Sequence, residues 1–235
     1  NEALIEDPFD YESFNDFFTR ELKPELRPKD QGDNSIIAPC DGLISQCGQI
    51  SDNNIIQAKS KIFNLNDLLG FEESTNSVFQ NGTFLTFYLA PKDYHRIHMP
   101  YGGKLKSMIY IPGDLFSVNT VTANSVDNLF SRNERLVCIF ETAYGPMAMV
   151  LVGAIIVSGI RVVWKKNGFS QFHQIKKWDF SPEMDNEVSL EKGQEMGHFM
   201  LGSTVILCFP DSKMSLDKRV SKDSVLQMGE LIGSY

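Results

Sequence analysis

The chain has 235 residues, of which 42% are hydrophobic and 22% charged, and its net charge at pH 7 is −8. That composition belongs to a globular protein able to bury a real core, as one large domain or two small ones at roughly 150 residues per domain. The acidic balance argues against a nucleic-acid partner, which needs a basic face for phosphates, and against broad electrostatic adhesion to anionic lipid.

Cys40, Cys47, Cys138 and Cys208 show no CxxC spacing and read as buried free thiols of a reducing compartment, not as a zinc site or disulfide frame. The longest apolar run, 147 to 157, reaches about half of the ~20 residues of a membrane-spanning helix, so it reads as a core strand. No signal peptide is visible, and the chain opens at Asn1 instead of Met. Three basic clusters (Lys23, Arg27 and Lys29; Lys165 and Lys166; Lys176 and Lys177) read as solvated faces.

In chain order, Tyr11, Phe14, Phe17, Phe18 and Leu22 fall on one side of a predicted amphipathic helix over 11–22, capped by Asp10 and stopped by Pro24 and Pro28. From Ile36 onward short runs rich in Ile, Val, Phe and Thr alternate with Gly, Pro, Asn and Asp, the pattern of a mainly β protein. Strands are predicted over 35–38, 43–49, 54–58, 83–89, 104–111, 135–142, 147–163 and 204–209. A short helix capped by Asn64 is predicted over 64–69. The strand over 104–111 is expected to be half-buried, with Leu105, Ile109 and Ile111 on one face. Residues 112–133 form a long polar stretch with Phe116 and Phe130 embedded in it, of the kind that carries function in compact domains. With no repeat and no linker, one domain is expected, with 135–163 at its centre and the C-terminal segment supplying a core strand.

The chemistry-bearing residues are few. His95 and His98 lie in Tyr94-His95-Arg96-Ile97-His98-Met99-Pro100, and histidine is the side chain best suited to move protons at neutral pH. As a pair they fit structural histidines, proton carriers or, with Asp41, metal ligands; no HExxH-type helix or third spaced ligand favours the metal. Asp41, in Ala38-Pro39-Cys40-Asp41-Gly42, reads first as a hairpin turn. Leu201-Gly202-Ser203-Thr204 reads as a glycine-relieved entrance to the strand Val205–Phe209. Yet Asp, His and Ser, each on a turn beside a strand, are also the parts of an activated nucleophile. A GxSxG elbow is absent, which disfavours an α/β-hydrolase.

Taken together these segments resemble the phosphatidylserine decarboxylases, more closely the bacterial membrane-associated type. The matching residues run in family order over nearly the whole chain: 17–22 (FFTREL), 39–42 (PCDG), 94–100 (YHRIHMP), 112–119 (PGDLFSVN), 133–135 (NER), 192–197 (KGQEMG) and 201–204 (LGST). The HRxH and LGST segments are the specific ones. The resemblance implies self-cleavage between Gly202 and Ser203, giving a large chain 1–202 and a small chain 203–235. Ser203 becomes a pyruvoyl group, a cofactor built from the chain itself. It implies His98 as the base for Ser203 and Asp41 as the carboxylate that orients it. In turnover the pyruvoyl ketone forms a Schiff base with the amine of phosphatidylserine, absorbs charge as CO2 leaves, and releases phosphatidylethanolamine. His95 is then the residue that positions substrate or delivers a proton, and Phe116, Ser117 and Val118 form a wall of the pocket. The resemblance further implies a peripheral protein on the cytoplasmic face of a bacterial membrane and allows a homodimer of the processed pair; family members usually carry further amphipathic, membrane-associating helices at the N-terminus, where this sequence departs from the pattern.

Two readings of other classes stand beside it. One is a non-enzymatic β-barrel binding module, which suits the GxxxG turns at Gly193–Gly197 and Gly229–Gly233 but gives no reason for HRxH and LGST together. The other is a metal-dependent hydrolase using His95, His98 and Asp41. The expected architecture is mainly β (α+β): a two-layered, barrel-like core with peripheral helices, the N-terminal amphipathic helix among them.

Overall fold

The structure is a computed structural model that describes residues 2–58, 61–154, 159–165, 167–169, 171–200 and 203–235. Its strands in chain order are β1 (Ser35–Ile37), β2 (Gly42–Gln49), β3 (Asn54–Ala58), β4 (Lys61–Asn64), β5 (Thr83–Leu89), β6 (Arg96–His98), β7 (Gly103–Ile111), β8 (Arg135–Thr142) and β9 (Gly145–Gly153). They continue as β10 (Ile160–Val162), β11 (Lys176–Asp179), β12 (Ser189–Leu190), β13 (Glu195–Phe199), β14 (Ser203–Phe209), β15 (Ser215–Leu216), β16 (Val225–Leu226) and β17 (Leu231–Ser234). The helices are short: α1 (Phe14–Phe18), α2 (Leu65–Leu69), α3 (Glu73–Asn76), α4 (Thr120–Ser125) and α5 (Leu129–Arg132).

Nine strands form one sheet in the order β11-β7-β8-β9-β14-β5-β2-β16, with β12 also paired to β7. All its ladders are antiparallel. The mainly β character holds, and the sheets do not close into a barrel. β8, β9 and β14 are buried along nearly their whole length, because both faces of the sheet are covered. Met147, Met149, Leu151, Val205, Leu207 and Phe209 face one core, shared with Ile97, Met99 and Phe199. Ala148, Val150, Val152, Ile206 and Cys208 face the other, shared with Leu65, Leu68, Leu69 and Phe130. The C-terminal segment therefore supplies the inner strand it was expected to supply, between β9 and β5.

Most strand expectations hold to within two residues, and Asn64 caps α2 through its Oδ1, which accepts from the Asn66 amide at 2.8 Å. Four details differ. The predicted helix over 11–22 shrinks to α1, capped by Ser13 instead of Asp10; five residues are too few for an independent helix, and tertiary contacts set its ends. The predicted strand 147–163 is interrupted, β9 ending at Gly153 and β10 starting at Ile160, with 155–158 outside the described residues. A bulge between Leu105 and Ser107 reverses the parity of β7, so Leu105 faces one core while Ile109 and Ile111 face the other. Asp41-Gly42 is not a hairpin turn, because β1 pairs with β17 and β2 with β5.

The 112–133 stretch contains α4 and α5, and Phe130 is a core residue. Of the basic clusters, Lys166 lies outside the described residues, and Arg27 is buried rather than solvated. Cys40, Cys138 and Cys208 are buried free thiols and Cys47 is half-buried.

Candidate active site

Ser203 opens β14 at the centre of the sheet, opposite Leu89 of β5 on one side and Gly153 of β9 on the other. Leu201 and Gly202, the preceding half of the LGST segment, lie outside the described residues. Ser203 is fully buried, and its Oγ has no hydrogen-bond partner among the described residues. A buried hydroxyl without a partner sacrifices about 1–3 kcal/mol. By strand alternation Ser203 shares its face with Val205, Leu207 and Phe209, the same core that holds Ile97 and Met99 beside the two histidines.

His95 is fully buried against the Phe18 ring, with 4.1 Å between ring centroids. Its Nδ1 lies 2.8 Å from the Asp93 carbonyl oxygen. Since a carbonyl only accepts, Nδ1 carries the proton and Nε2 is left as the free basic nitrogen. That Nε2 is buried and has no partner among the described residues. The chain brings it near the start of β14 from two sides. Leu89, opposite Ser203, leads into the Ala90–Asp93 turn, closed by the Ala90 amide donating to Asp93 Oδ2 at 2.8 Å. The Phe199 amide, four residues before Ser203, donates to the His95 carbonyl at 3.1 Å.

Burial lowers the His95 pKa to about 4. An unfolded histidine titrates near 6.5, so between these values the unfolded chain binds more protons than the folded one. Stability is full above the unfolded value and is lost as pH falls from about 6.5 towards 4, by up to about 1.4 kcal/mol per pH unit for this ring. Denaturant midpoints measured from pH 7.5 to 4.5 are expected to fall more steeply for the wild type than for His95→Gln; equal slopes would remove His95 as a source of acid sensitivity.

His98 is held differently. Its amide donates to the Pro39 carbonyl at 2.7 Å, and its Nδ1 lies 3.0 Å from the Gly193 carbonyl oxygen, which again places the ring proton on Nδ1. Nε2 accepts from the Tyr94 hydroxyl at 2.9 Å. Burial lowers the His98 pKa, which favours the neutral ring. Gly193 has φ +74°, a backbone state that glycine adopts without strain, and this turn aims its carbonyl at the imidazole.

Asp41 is buried but does not hydrogen-bond to His98. Its carboxylate is gripped by Arg27, whose Nε lies 2.9 Å from Oδ1 and Nη2 2.5 Å from Oδ2, and Oδ1 also accepts from the Met228 amide at 2.9 Å. Asp41 thus fixes the 39–42 turn, and that turn carries the Pro39 carbonyl on which His98 hangs. Asp41, His98 and Ser203 share one region without forming a hydrogen-bonded relay. Among the described residues no group of three or more His, Cys, Asp or Glu is arranged to hold a metal ion.

The 112–119 loop is tied to the same place by Asn133, which is fully buried. Asn133 Nδ2 donates to the Phe116 carbonyl at 2.8 Å and to the Gly153 carbonyl at 2.9 Å, and Oδ1 accepts from the Phe116 amide at 3.2 Å. One side chain therefore staples the loop to the residue opposite Ser203. Gly113 permits this packing, since a Cβ there would sit 2.2 Å from the Arg132 carbonyl oxygen. Phe116 lies under the Arg132 guanidinium, 4.7 Å from its centroid. Ser117 Oγ accepts from the Asn119 amide at 3.4 Å. Val118 is buried and lines a cavity of about 170 Å³ together with Tyr88, Gln57, Ala123 and Phe130.

A profile of the phosphatidylserine decarboxylase family matches residues 14–234. The chain belongs to that family. Relatives named phosphatidylserine decarboxylase proenzyme occur in Psychromonas ingrahamii, 50% identical over 235 residues, covering 100% of this chain and 81% of that protein. The one in Idiomarina loihiensis is 48% identical over 233 residues, with 99% and 80% covered. The one in Escherichia coli is 48% identical over 236 residues, with 97% and 72% covered. Membership makes the chain a decarboxylase. No helix among the described residues is long and apolar enough to cross a membrane.

Sequence reasoning did not foresee the parts played by Arg27, Tyr94, Gly193 and Asn133. The 133–135 segment carried a readable signal: an amide and two charges at the entrance of a strand that is otherwise apolar. Arg135 has a structural role, donating to the carbonyls of Asp67, Leu68, Ser131 and Asn133 at 2.6 to 3.0 Å and so closing α2 and α5.

Proposed function

We propose that the chain cuts itself between Gly202 and Ser203 and then converts phosphatidylserine to phosphatidylethanolamine and CO2 through a pyruvoyl group formed from Ser203. The observation that carries this reading is the buried Ser203 Oγ, without a partner among the described residues, at the head of the innermost strand. A hydroxyl left unbonded there is a poor structural choice, and it stays available for a base to activate as a nucleophile. The position also fits the product group. Gly153 opposite contributes no side chain, leaving room on that face, and a ketone places fewer hydrogen-bonding demands on the site than the hydroxyl and amide it replaces.

In maturation, Ser203 Oγ adds to the Gly202 carbonyl while a base takes its proton. We assign that base to His98, whose Nδ1–H is anchored on Gly193 so that Nε2 holds the lone pair; the Tyr94 hydroxyl must release Nε2 for this. Asp41 is then a positioning residue that acts through the 39–42 turn. Once formed, the pyruvoyl group supplies an electron-accepting ketone for the substrate amine. His95, with its free Nε2 in a dry setting, holds or delivers the proton needed at the substrate Cα. Low polarity around it favours loss of the substrate's carboxylate charge. The 112–119 loop, with Phe116, Ser117 and Val118, walls the site, and phosphatidylserine would reach it from a membrane surface on which the protein lies peripherally.

An intact mass of the purified protein under denaturing conditions tests the reading. It is expected to show two chains, 1–202 and 203–235, with the smaller one refractory to Edman sequencing. A decarboxylating preparation that shows only the full-length mass would exclude it.

A further inference from the structure

Self-cleavage by this route has a second half. After Oγ has taken the Gly202 acyl group as an ester, the Cα proton of residue 203 must be removed so that the ester can leave as a carboxylate. We infer that Glu134 is the base for that elimination, an inference that rests on the self-cleavage reading above.

The geometry comes from the ladder around Gly153. The Gly153 amide donates to the Glu134 carbonyl at 2.9 Å, and its carbonyl accepts from Asn133 Nδ2 at 2.9 Å, so both of its backbone groups point towards β8 and away from β14. Ser203 and Gly153 are therefore a non-hydrogen-bonded antiparallel pair. In such pairs the Cα atoms approach to about 4.5 Å and their Cα–H groups face each other. The Cα–H of Ser203 thus points at Gly153. Glu134 leans over the same glycine: its Oε2 lies 3.4 Å from where a Gly153 Cβ would stand. The missing side chain opens a path from that oxygen to the Cα–H and Cβ of residue 203.

Glu134 itself is built for proton transfer. It is buried, and it shares the face of Leu136 and Tyr110, the Ser203 side of the sheet. Oε1 accepts from the Tyr110 hydroxyl at 2.7 Å, and Tyr110 is held by stacking on Phe169 at 5.3 Å between centroids. Oε2 is given no hydrogen bond by any described residue. Burial raises the Glu134 pKa against the opposing Tyr110 bond, which strengthens the carboxylate as a base.

The step balances. The Cα–H bond of residue 203 breaks and its proton goes to Glu134 Oε2. The electron pair becomes the Cα=Cβ bond, and the Cβ–O bond breaks to release the Gly202 carboxylate. Protonation at Cβ and hydrolysis by water then give the ketone and ammonia.

The test follows maturation with hydroxylamine as the ester trap. Glu134→Gln keeps the shape and the Tyr110 contact but cannot accept the proton, so formation of the blocked small chain is expected to slow by about 100-fold or more. The acyl shift still proceeds, so hydroxylamine is expected to release a small chain with a readable N-terminal Ser203, which a merely structural loss would not produce. Glu134→Asp, with the carboxylate withdrawn by one methylene, is expected to mature slowly through the same trappable ester, and it serves if the Gln variant fails to fold. A folded Glu134→Gln or Glu134→Asp protein that matures at the wild-type rate overturns the inference. So does a folded Gln variant that stays full-length and hydroxylamine-stable, since that block would precede elimination. If wild-type chain never cleaves, the self-cleavage reading itself fails and takes this inference with it.

Discussion

Ser203→Ala is expected to give a single uncleaved chain of 235 residues whose decarboxylation falls by more than about 10⁴-fold, because the residue removed is both nucleophile and cofactor precursor. Its stability should move the other way. Ser203 Oγ has no partner among the described residues, so deleting it relieves an unpaired buried hydroxyl and should leave the melting temperature equal or higher. Full-length mass, background activity and undiminished stability together form the expected result. A cleaved Ser203→Ala protein would show that scission occurs elsewhere.

The companion expectation concerns the cleaved wild type, whose small chain should stay bound until the protein is denatured. Val205, Ile206, Leu207 and Phe209 are fully buried between β9 and β5, at about 1.5–3 kcal/mol each. The ladders to both neighbours add to this.

The second large effect separates the two histidines. His98→Ala is expected to leave the chain uncleaved, since it removes the base anchored on Gly193 that we assign to take the Ser203 proton. His95→Ala is expected to cleave normally and then turn over about 10²–10⁴-fold more slowly, the usual contribution of one positioned acid or base. Mass spectrometry reads the first and CO2 release by the cleaved protein reads the second. The structure makes the comparison a sharp one: His98 has both ring nitrogens engaged, by Gly193 and Tyr94, whereas His95 Nε2 has no partner among the described residues. The opposite pattern, with His95→Ala uncleaved and His98→Ala cleaved but slow, would exchange the two roles.

Much of this site was legible in the residues. The β pattern, the inner C-terminal strand and the Asn64 cap follow from local chemistry and appear in the structure where expected; the HRxH and LGST segments were singled out by the family resemblance, and of LGST only Ser203 and Thr204 lie among the described residues. Other features were legible in kind but not in place. Leu105 was assigned to the face of Ile109 and Ile111, and a single bulge moved it across the sheet. Arg27 was counted with Lys23 and Lys29 as a solvated cation, yet it is buried on Asp41, because its fate depends on a turn that follows it in the chain.

By itself, the sequence determined which groups could react: a serine after glycine, two histidines in one short segment, an aspartate beside a strand and an apolar strand to hold the product chain. Only the tertiary structure decided how they are held. Tautomers are set by the Gly193 and Asp93 carbonyls, the Asp41 carboxylate is bound by Arg27, and Glu134 Oε2 stands over Gly153, the residue opposite Ser203. These are long-range contacts made across sheet ladders, and strand register, not local propensity, determines which residues stand opposite one another.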